Sequence, residues 1–358
     1  LRIAIRVDAS ATIGSGHVMR CLTLADALRE RGVEIVFVSR DFPLGGPPAI
    51  ESRGYPVVRL PVEEAYRETW LGASTETELA AARAALRSLT ALDAVIVDQY
   101  ALDELWERAA RAFASRIVVV DDLANRSHDC DILLDTTYLP PGTPDRYHDL
   151  VSAGTVRLSG PGYALLRPAF GKLPRRVRTG PMRRILVFFG AADPTGVTIR
   201  ALDALEALED VVTDVVVGCS NPRARAIEAK CAGRGGFYVD TPRMPDLMAD
   251  ADLSLGAAGT TSWERAWLGL PALVVSIADN QRTIAHGLEA AGAIRNLGWH
   301  EDVSAETFRR ALVALRSEPQ HLSAMSSASL ALMGAAGRLG TERVADAVLA
   351  PRLEAASL

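Results

Sequence analysis

"RVDASATIGSGHVMRCLTLADAL", residues 6–28, runs from the end of a strand pattern through a glycine-bearing turn into an amphipathic helix. The strand is RIAIRVD (2–8) and the helical period spans 17–31. A strand, a tight turn and a helix in direct succession form the first half of a βαβ unit. The turn places backbone N–H groups at a helix N-terminus, where an anion is favoured. Val18 and Met19 follow Gly14 and Gly16, so the motif is not G-x-G-x-x-G, and it lacks the lysine of a P-loop. A nicotinamide cofactor is disfavoured.

The same alternation continues outward. Short Val/Ile-rich runs at 34–39, 57–60, 94–98, 116–122 and 131–135 alternate with helical segments at 75–90 and 102–113. This is the pattern of a parallel sheet buried on both faces. The stretch 160–184 then packs glycine, proline and basic residues without sustained period, as linkers do. A second series follows, with strands at 184–190, 214–218, 252–256 and 272–277 and helices near 195–209, 222–232, 260–268 and 280–291. The tail from about 304 reads as helical and ends in GTERVADAVLA (340–350). The expectation is an α/β protein of two Rossmann-like, doubly wound domains, 1–175 and 182–358, facing a central cleft lined by loops that follow strands.

Composition narrows the function. The 358 residues are 49% hydrophobic and 23% charged with a formal charge of −5, a globular balance without the basic stripe that grips nucleic acid. Nucleic acid is not an expected partner. Cys21, Cys130, Cys219 and Cys231 are widely spaced and read as reduced thiols. The first ten residues show no signal-peptide pattern and no run approaches 18 apolar residues, so a cytoplasmic protein without a membrane span is expected.

Three loops carry candidate chemistry. Histidine is the side chain suited to proton transfer near neutral pH, so His17 can serve as a base, with Asp8 at the end of the same strand to orient it; a histidine that merely packs against the helix start is the alternative. In GAAGTTSWERAWLGLP (256–271), Gly259, Thr260, Thr261 and Ser262 suit a pyrophosphate at a helix start, and Glu264 suits ribose hydroxyls. A Thr261–Glu264 capping box explains the same spacing. FFGAADPTG (188–196), with Gly190, can line the site or simply turn the chain. Asn280 and Gln281 are amides suited to sugar hydroxyls or to an exposed turn. The acids and histidine at Asp121, Asp122, His128, Asp129 and Asp131 lack metal-ligand spacing and are expected to cap turns or face solvent.

Taken together, RVDASATIGSGHVMRCLTLA, VDQYALD, VDDLANRSHDCDILLD, GYALLRPAF, GAADP, AAGTTSWERAWLGLPALVVSIADNQ and GRLGTERVADAVL resemble, in order, the UDP-2,4-diacetamido-2,4,6-trideoxy-β-L-altropyranose hydrolases of pseudaminic acid biosynthesis. That family has the GT-B fold and is related to the glycosyltransferase that makes lipid II. The resemblance implies a hydrolase, independent of metal and cofactor, that takes a UDP-sugar and releases UDP and the free sugar with inversion. It makes His17 the base. It places Tyr100, Asn280 and Gln281 where sugar contacts are expected; Gly14, Gly16, Arg20 and Gly190 are further candidate ligand-binding positions. The phosphates fall to Gly259, Thr260, Thr261 and Ser262, the ribose to Glu264 and the uracil to the backbone near Arg243 and Met244. The chain departs from the family pattern at Gln99, Thr136, Thr137, Ala169 and Ala191. A glycosyltransferase using an alcohol in place of water is the alternative on the same fold.

Overall fold

The computed structural model describes residues 1–10, 12–43, 45–89, 91–334 and 337–351. They form two compact units. The first comprises Leu1–Thr136, Pro144–Leu166 and the segment from Arg338; the second comprises Thr137–Thr143 and Arg167–Gly337.

The first unit is built on seven parallel strands: β1 (Arg2–Val7), β2 (Glu34–Arg40), β3 (Val57–Leu60), β4 (Leu92–Asp98), β5 (Ala114–Val120), β6 (Ile132–Asp135) and β7 (Val156–Ser159). Their order is β3-β2-β1-β4-β5-β6-β7. Helices α1 (Gly16–Arg29), α2 (Gly46–Glu51), α3 (Thr75–Ser88) and α4 (Glu104–Ala110) supply the crossovers. Because side chains alternate along a strand, β1 feeds two cores. Ile3, Ile5 and Val7 pack with Ala94 and Ile96 under Val18, Cys21 and Leu22 of α1. On the other face Ala4 joins Val36, Val95 and Val97 beneath Leu86 of α3 and Trp106 of α4. Arg6 shares that second face, where Glu78 of α3 answers its charge with contacts of 3.0 and 3.2 Å.

The second unit repeats the plan with β8 (Arg184–Phe188), β9 (Val212–Val217), β10 (Phe237–Val239), β11 (Leu253–Ala257), β12 (Ala272–Ser276) and β13 (Ile294–Trp299). The order is β10-β9-β8-β11-β12-β13, again parallel. Its helices are α5 (Pro168–Gly171), α6 (Val197–Leu205), α7 (Ala224–Cys231), α8 (Met244–Asp250), α9 (Thr261–Trp267), α10 (Asn280–Ala290), α11 (Ala305–Ser317) and α12 (Pro319–Leu332). The strand order of each sheet reverses once, between β1 and β4 and between β8 and β11. Such a switch point is where loops at the carboxyl ends diverge and leave room for a ligand.

The unit boundaries differ from the expected 1–175 and 182–358. The last helix, α13 (Gly340–Leu349), belongs to the first unit, with Val344, Ala345 and Val348 in the core beside α1. Thr341 Oγ1 donates to Leu166 O at 2.7 Å and fixes its start. An apolar stripe says that a helix must be covered, not which sheet covers it. Strands β7, β10 and β13 are additions at the sheet edges, and two of them are only four and three residues long, too short for a periodic signal. No helix among the described residues is long and apolar enough to cross a membrane.

Candidate functional site

His17 is the second residue of α1 and is 6% exposed. It does not cap its helix: Nδ1 lies 2.6 Å from Asp98 Oδ1, at the carboxyl end of β4. Arg20, one turn further along α1, grips the same carboxylate with Nε on Oδ2 and Nη2 on Oδ1, both at 2.6 Å. Cys21 Sγ adds a 3.3 Å contact to Oδ2. Burial alone would raise the Asp98 pKa, but the Arg20 charge and then His17 hold it well below the carboxylate range. An ionised carboxylate only accepts, so the 2.6 Å contact calls for a proton on Nδ1, and a neutral ring held this way carries its lone pair on Nε2; Arg20 Nη2, a donor only, also lies 3.1 Å from Nδ1 and turns its N–H groups to the same carboxylate. Among the described residues Nε2 has no protein partner. The ring is walled edge-on by Tyr100 at 4.7 Å and Trp70 at 5.7 Å between centroids.

Asp8 does not orient His17, as the sequence suggested. Its Oδ1 pairs with Arg6 Nη1 at 2.6 Å and accepts the Arg40 N–H at 2.7 Å, while Oδ2 accepts from Gln99 Nε2 at 2.8 Å. The reason is the pleat. Asp8 falls on the Ala4/Arg6 face toward α3, whereas Asp98 is in register with Val7 on the face that α1 covers. Arg20 is likewise not held out for a ligand. Besides Asp98 it reaches Asp122 Oδ2 at 3.4 Å, and the Tyr100 hydroxyl donates to the other oxygen of Asp122. Gly14 adopts φ +78 in the turn before α1, which Gly16 opens.

Within the acidic cluster 121–131, Asp121 caps a turn by accepting the N–H groups of Leu123 and Ala124 at 3.2 and 3.1 Å, while Asp129 and Asp131 stay partly exposed in ion pairs. Asp121, fully buried, pairs with Arg126 at 2.7 Å and accepts from Tyr147 Oη at 2.6 Å. Arg111 takes Asp129 and Asp131 at 2.7 and 3.0 Å. His128 is buried between Glu107, 2.7 Å from Nδ1, and Asp121, 3.8 Å from Nε2. Burial opposes its charge, yet the two carboxylates raise its pKa to about 9. Among the described residues no three His, Cys, Asp or Glu side chains are arranged to hold a metal.

In the second unit, β11 ends at Ala257 and the loop enters α9 through Thr260. Thr260 makes no side-chain cap, and Glu264 accepts from Arg167 Nη2 at 3.0 Å, so the Thr261–Glu264 capping box is not formed. Burial raises the Glu264 pKa and Arg167 opposes the shift. Ser262 corrects the expectation of a phosphate-facing hydroxyl: it is 3% exposed and its Oγ accepts from Arg265 at 2.9 Å. Gly259 and Gln281 are brought together, since a Cβ on Gly259 would lie 3.8 Å from Gln281 Nε2. Gln281 Oε1 meanwhile accepts the Ile277 N–H at 3.1 Å. Asn280 opens α10 half-buried, beside it. Met244 opens α8 and packs inside, with no described hydrogen bond to this loop. Gly190, at φ +96, follows β8 into a turn closed by Asp193, which accepts the N–H groups of Val197 and Thr198 at 3.1 and 2.9 Å. That loop is a turn with a helix cap.

Asp98, Trp70, Arg167 and Arg265 were not singled out from sequence, and Asp122 was named only as one acid of the 121–131 cluster. Asp98 alone carried a signal, as an acid closing a strand of the βαβ series.

These features define a class: a protein of two Rossmann-like parallel-sheet units with the GT-B fold. Residues 226–343 match the glycosyltransferase family 28 C-terminal domain. The chain is 26% identical over 299 residues to an uncharacterized protein of Methanocaldococcus jannaschii, covering 79% of this chain but 57% of that protein's length. It is 25% identical over 320 residues to the spore coat polysaccharide biosynthesis protein SpsG of Bacillus subtilis, covering 86% of each. It is 22% identical over 294 residues to the UDP-2,4-diacetamido-2,4,6-trideoxy-β-L-altropyranose hydrolase of Campylobacter jejuni, covering 82% of this chain and 97% of the relative. Among solved structures it resembles MurG of Acinetobacter baumannii, with TM-score 0.65 and 18% identity over 97% of this chain and 99% of that one. The glycosyltransferase VinC, solved with dTDP, gives TM-score 0.61 and 17% identity over 98% of both chains.

Proposed function

We propose that this protein is a nucleotide-sugar hydrolase that breaks the C1–O bond of a UDP-linked acetamido or amino deoxysugar with inversion. One observation carries the reading: His17 is pinned through Nδ1 to a buried, ionised Asp98 while Nε2 has no protein partner among the described residues. In that state Nε2 takes a proton from an attacking water, and Asp98 stabilises the imidazolium that forms. Tyr100 and Trp70 restrict the ring to this pose. The water attacks C1 opposite the diphosphate, so in-line displacement inverts the centre. UDP leaves without a second acid, its charge taken up by N–H groups at Gly259 and Thr260. Thr260 and Thr261 serve the phosphates, Glu264 the ribose, the backbone at Met244 the uracil, and Asn280 and Gln281 the sugar. No step calls on a metal or cofactor, and nucleotide sugars place the protein in the cytoplasm.

The Campylobacter relative's name supports water as the acceptor. The second reading, transfer of the sugar to an alcohol, is favoured by the family 28 match and by the glycosyltransferases among the solved structures. Both use the same base in the same place. Incubation with UDP-sugars in ¹⁸O-water, without an alcohol, separates them. Label at C1 with release of UDP supports hydrolysis; no UDP until an alcohol is added supports transfer. His17→Leu is expected to lower turnover by about 10²–10⁴-fold or more and to leave UDP affinity unchanged. Retained turnover in that variant removes His17 from the mechanism.

A further inference from the structure

Among the described residues the second unit buries two arginines that no carboxylate pairs with, Arg178 at 4% and Arg265 at 2% exposure. Arg178 is accounted for by the fold. Its guanidinium donates to the carbonyls of Leu268, Met248, Ala249 and Ala251, at the carboxyl ends of α8 and α9. Free carbonyls there carry partial negative charge and suit a cation.

Arg265 has the opposite setting. Helical side chains lean toward their own N-terminus, and this one reaches back along α9 to donate from Nη2 to Ala257 O at 2.7 Å and Ser262 Oγ at 2.9 Å. That is the positive end of the helix, where a cation is disfavoured. Nε finds no acceptor among the described residues. The neighbouring carboxylate, Glu264, is engaged by Arg167 at 3.0 Å, so these three residues together keep one positive charge. Burial draws the Arg265 pKa down to about 10, which leaves it charged at neutral pH. The space is also reserved: a Cβ on Gly256 would collide with the guanidinium. Around the same loop, the N–H groups of Gly259 and Thr260 have no acceptor among the described residues. A buried, unpaired cation costs stability, and at a helix start it adds to donors that already favour an anion.

We propose that Arg265 is a built-in countercharge for a bound diphosphate: a positioning residue that stays beneath the loop after β11 and raises affinity for phosphate-bearing nucleotides by its charge. Ser262 and Gly256 hold it there. The inference rests on the nucleotide-binding reading of this loop and adds to it the group that answers the ligand's charge.

The test is calorimetric titration of the full chain with uridine, UMP and UDP, using the wild type, Arg265→Lys, Arg265→Met and Arg265→Gln. The neutral variants are expected to lose about tenfold or more in UDP affinity, less for UMP, and nothing for uridine, while Arg265→Lys keeps most of the affinity. Without ligand the Met variant is expected to melt no lower than the wild type, and to gain less from saturating UDP. Equal losses for uridine and UDP, unchanged UDP affinity in the neutral variants, or a Lys variant as weak as the Met variant each overturn the proposal. A wild type that binds neither UDP nor dTDP overturns the nucleotide reading itself, and the inference with it.

Discussion

Replacing Asp98 with Asn keeps the shape of the side chain and removes its charge. The native carboxylate accepts three short contacts, two from Arg20 and one from His17, each 2.6 Å. An amide can accept at one oxygen only, and its NH₂ then meets a guanidinium or an imidazole N–H. Arg20 is left as a buried cation without its main partner, which costs about 3–5 kcal/mol. Because the two units need not unfold together, the quantity to follow is the urea transition of the first unit at pH 7. The pH dependence has a fixed sign. The folded-state pKa of Asp98 is depressed from 3.8 despite burial, by Arg20 first and His17 second. Its contribution is therefore fully present above that ordinary value and is lost as the pH falls through the lower folded-state value. The difference between wild type and variant should be constant near neutrality and shrink only in acid. Turnover should also fall, by about 10²–10⁴-fold, with UDP affinity retained. A stability loss below about 1 kcal/mol, or a difference that persists undiminished in acid, refutes the buried-pair reasoning. Normal turnover in a destabilised variant refutes the role of Asp98 in orienting the base.

His128 has the opposite sign. Its folded-state pKa is raised from 6.5 to about 9 by Asp121 and Glu107 against the effect of burial, so its stabilisation is complete below 6.5 and is lost as the pH rises through about 9. His128→Gln should cost up to about 3 kcal/mol at pH 6, and denaturation from pH 6 to 10 should show the gap closing; a constant gap rules the pair out. Gly340→Ala drives a Cβ into the backbone of Tyr163 and Ala164. It should destabilise the first unit by about 1–3 kcal/mol and expose α13 to limited proteolysis, whereas wild-type stability would mean that the helix start yields easily.

Much of the fold was legible because parallel strands buried on two faces write long apolar runs into the chain. The expected runs at 2–8, 34–39, 57–60, 94–98 and 131–135 all correspond to strands, and so do the four of the second series. Edge strands such as Phe237–Val239 were not legible, since three residues cannot display a period. The turn at Gly190 and the helix start at Thr260 were marked by their residue types, but hydroxyls there read alike whether they cap, bind or turn inward. Ser262 turned inward.

The chain by itself placed the end of a strand at Asp8 and the start of a helix at His17, each within one residue of the observed Val7 and Gly16, because those signals are local. It could not determine which carboxylate meets the imidazole. Asp8 is nine residues away in sequence and Asp98 is eighty-one, yet the pleat turns Asp8 toward α3 while the parallel register sets Asp98 beside Val7 under α1. The same holds for α13, whose apolar stripe required a partner and whose partner, α1, lies three hundred residues earlier. Local periodicity fixes what a segment becomes. Which of two faces it meets depends on strand order and on the side each crossover takes, and these exist only once the sheet has formed.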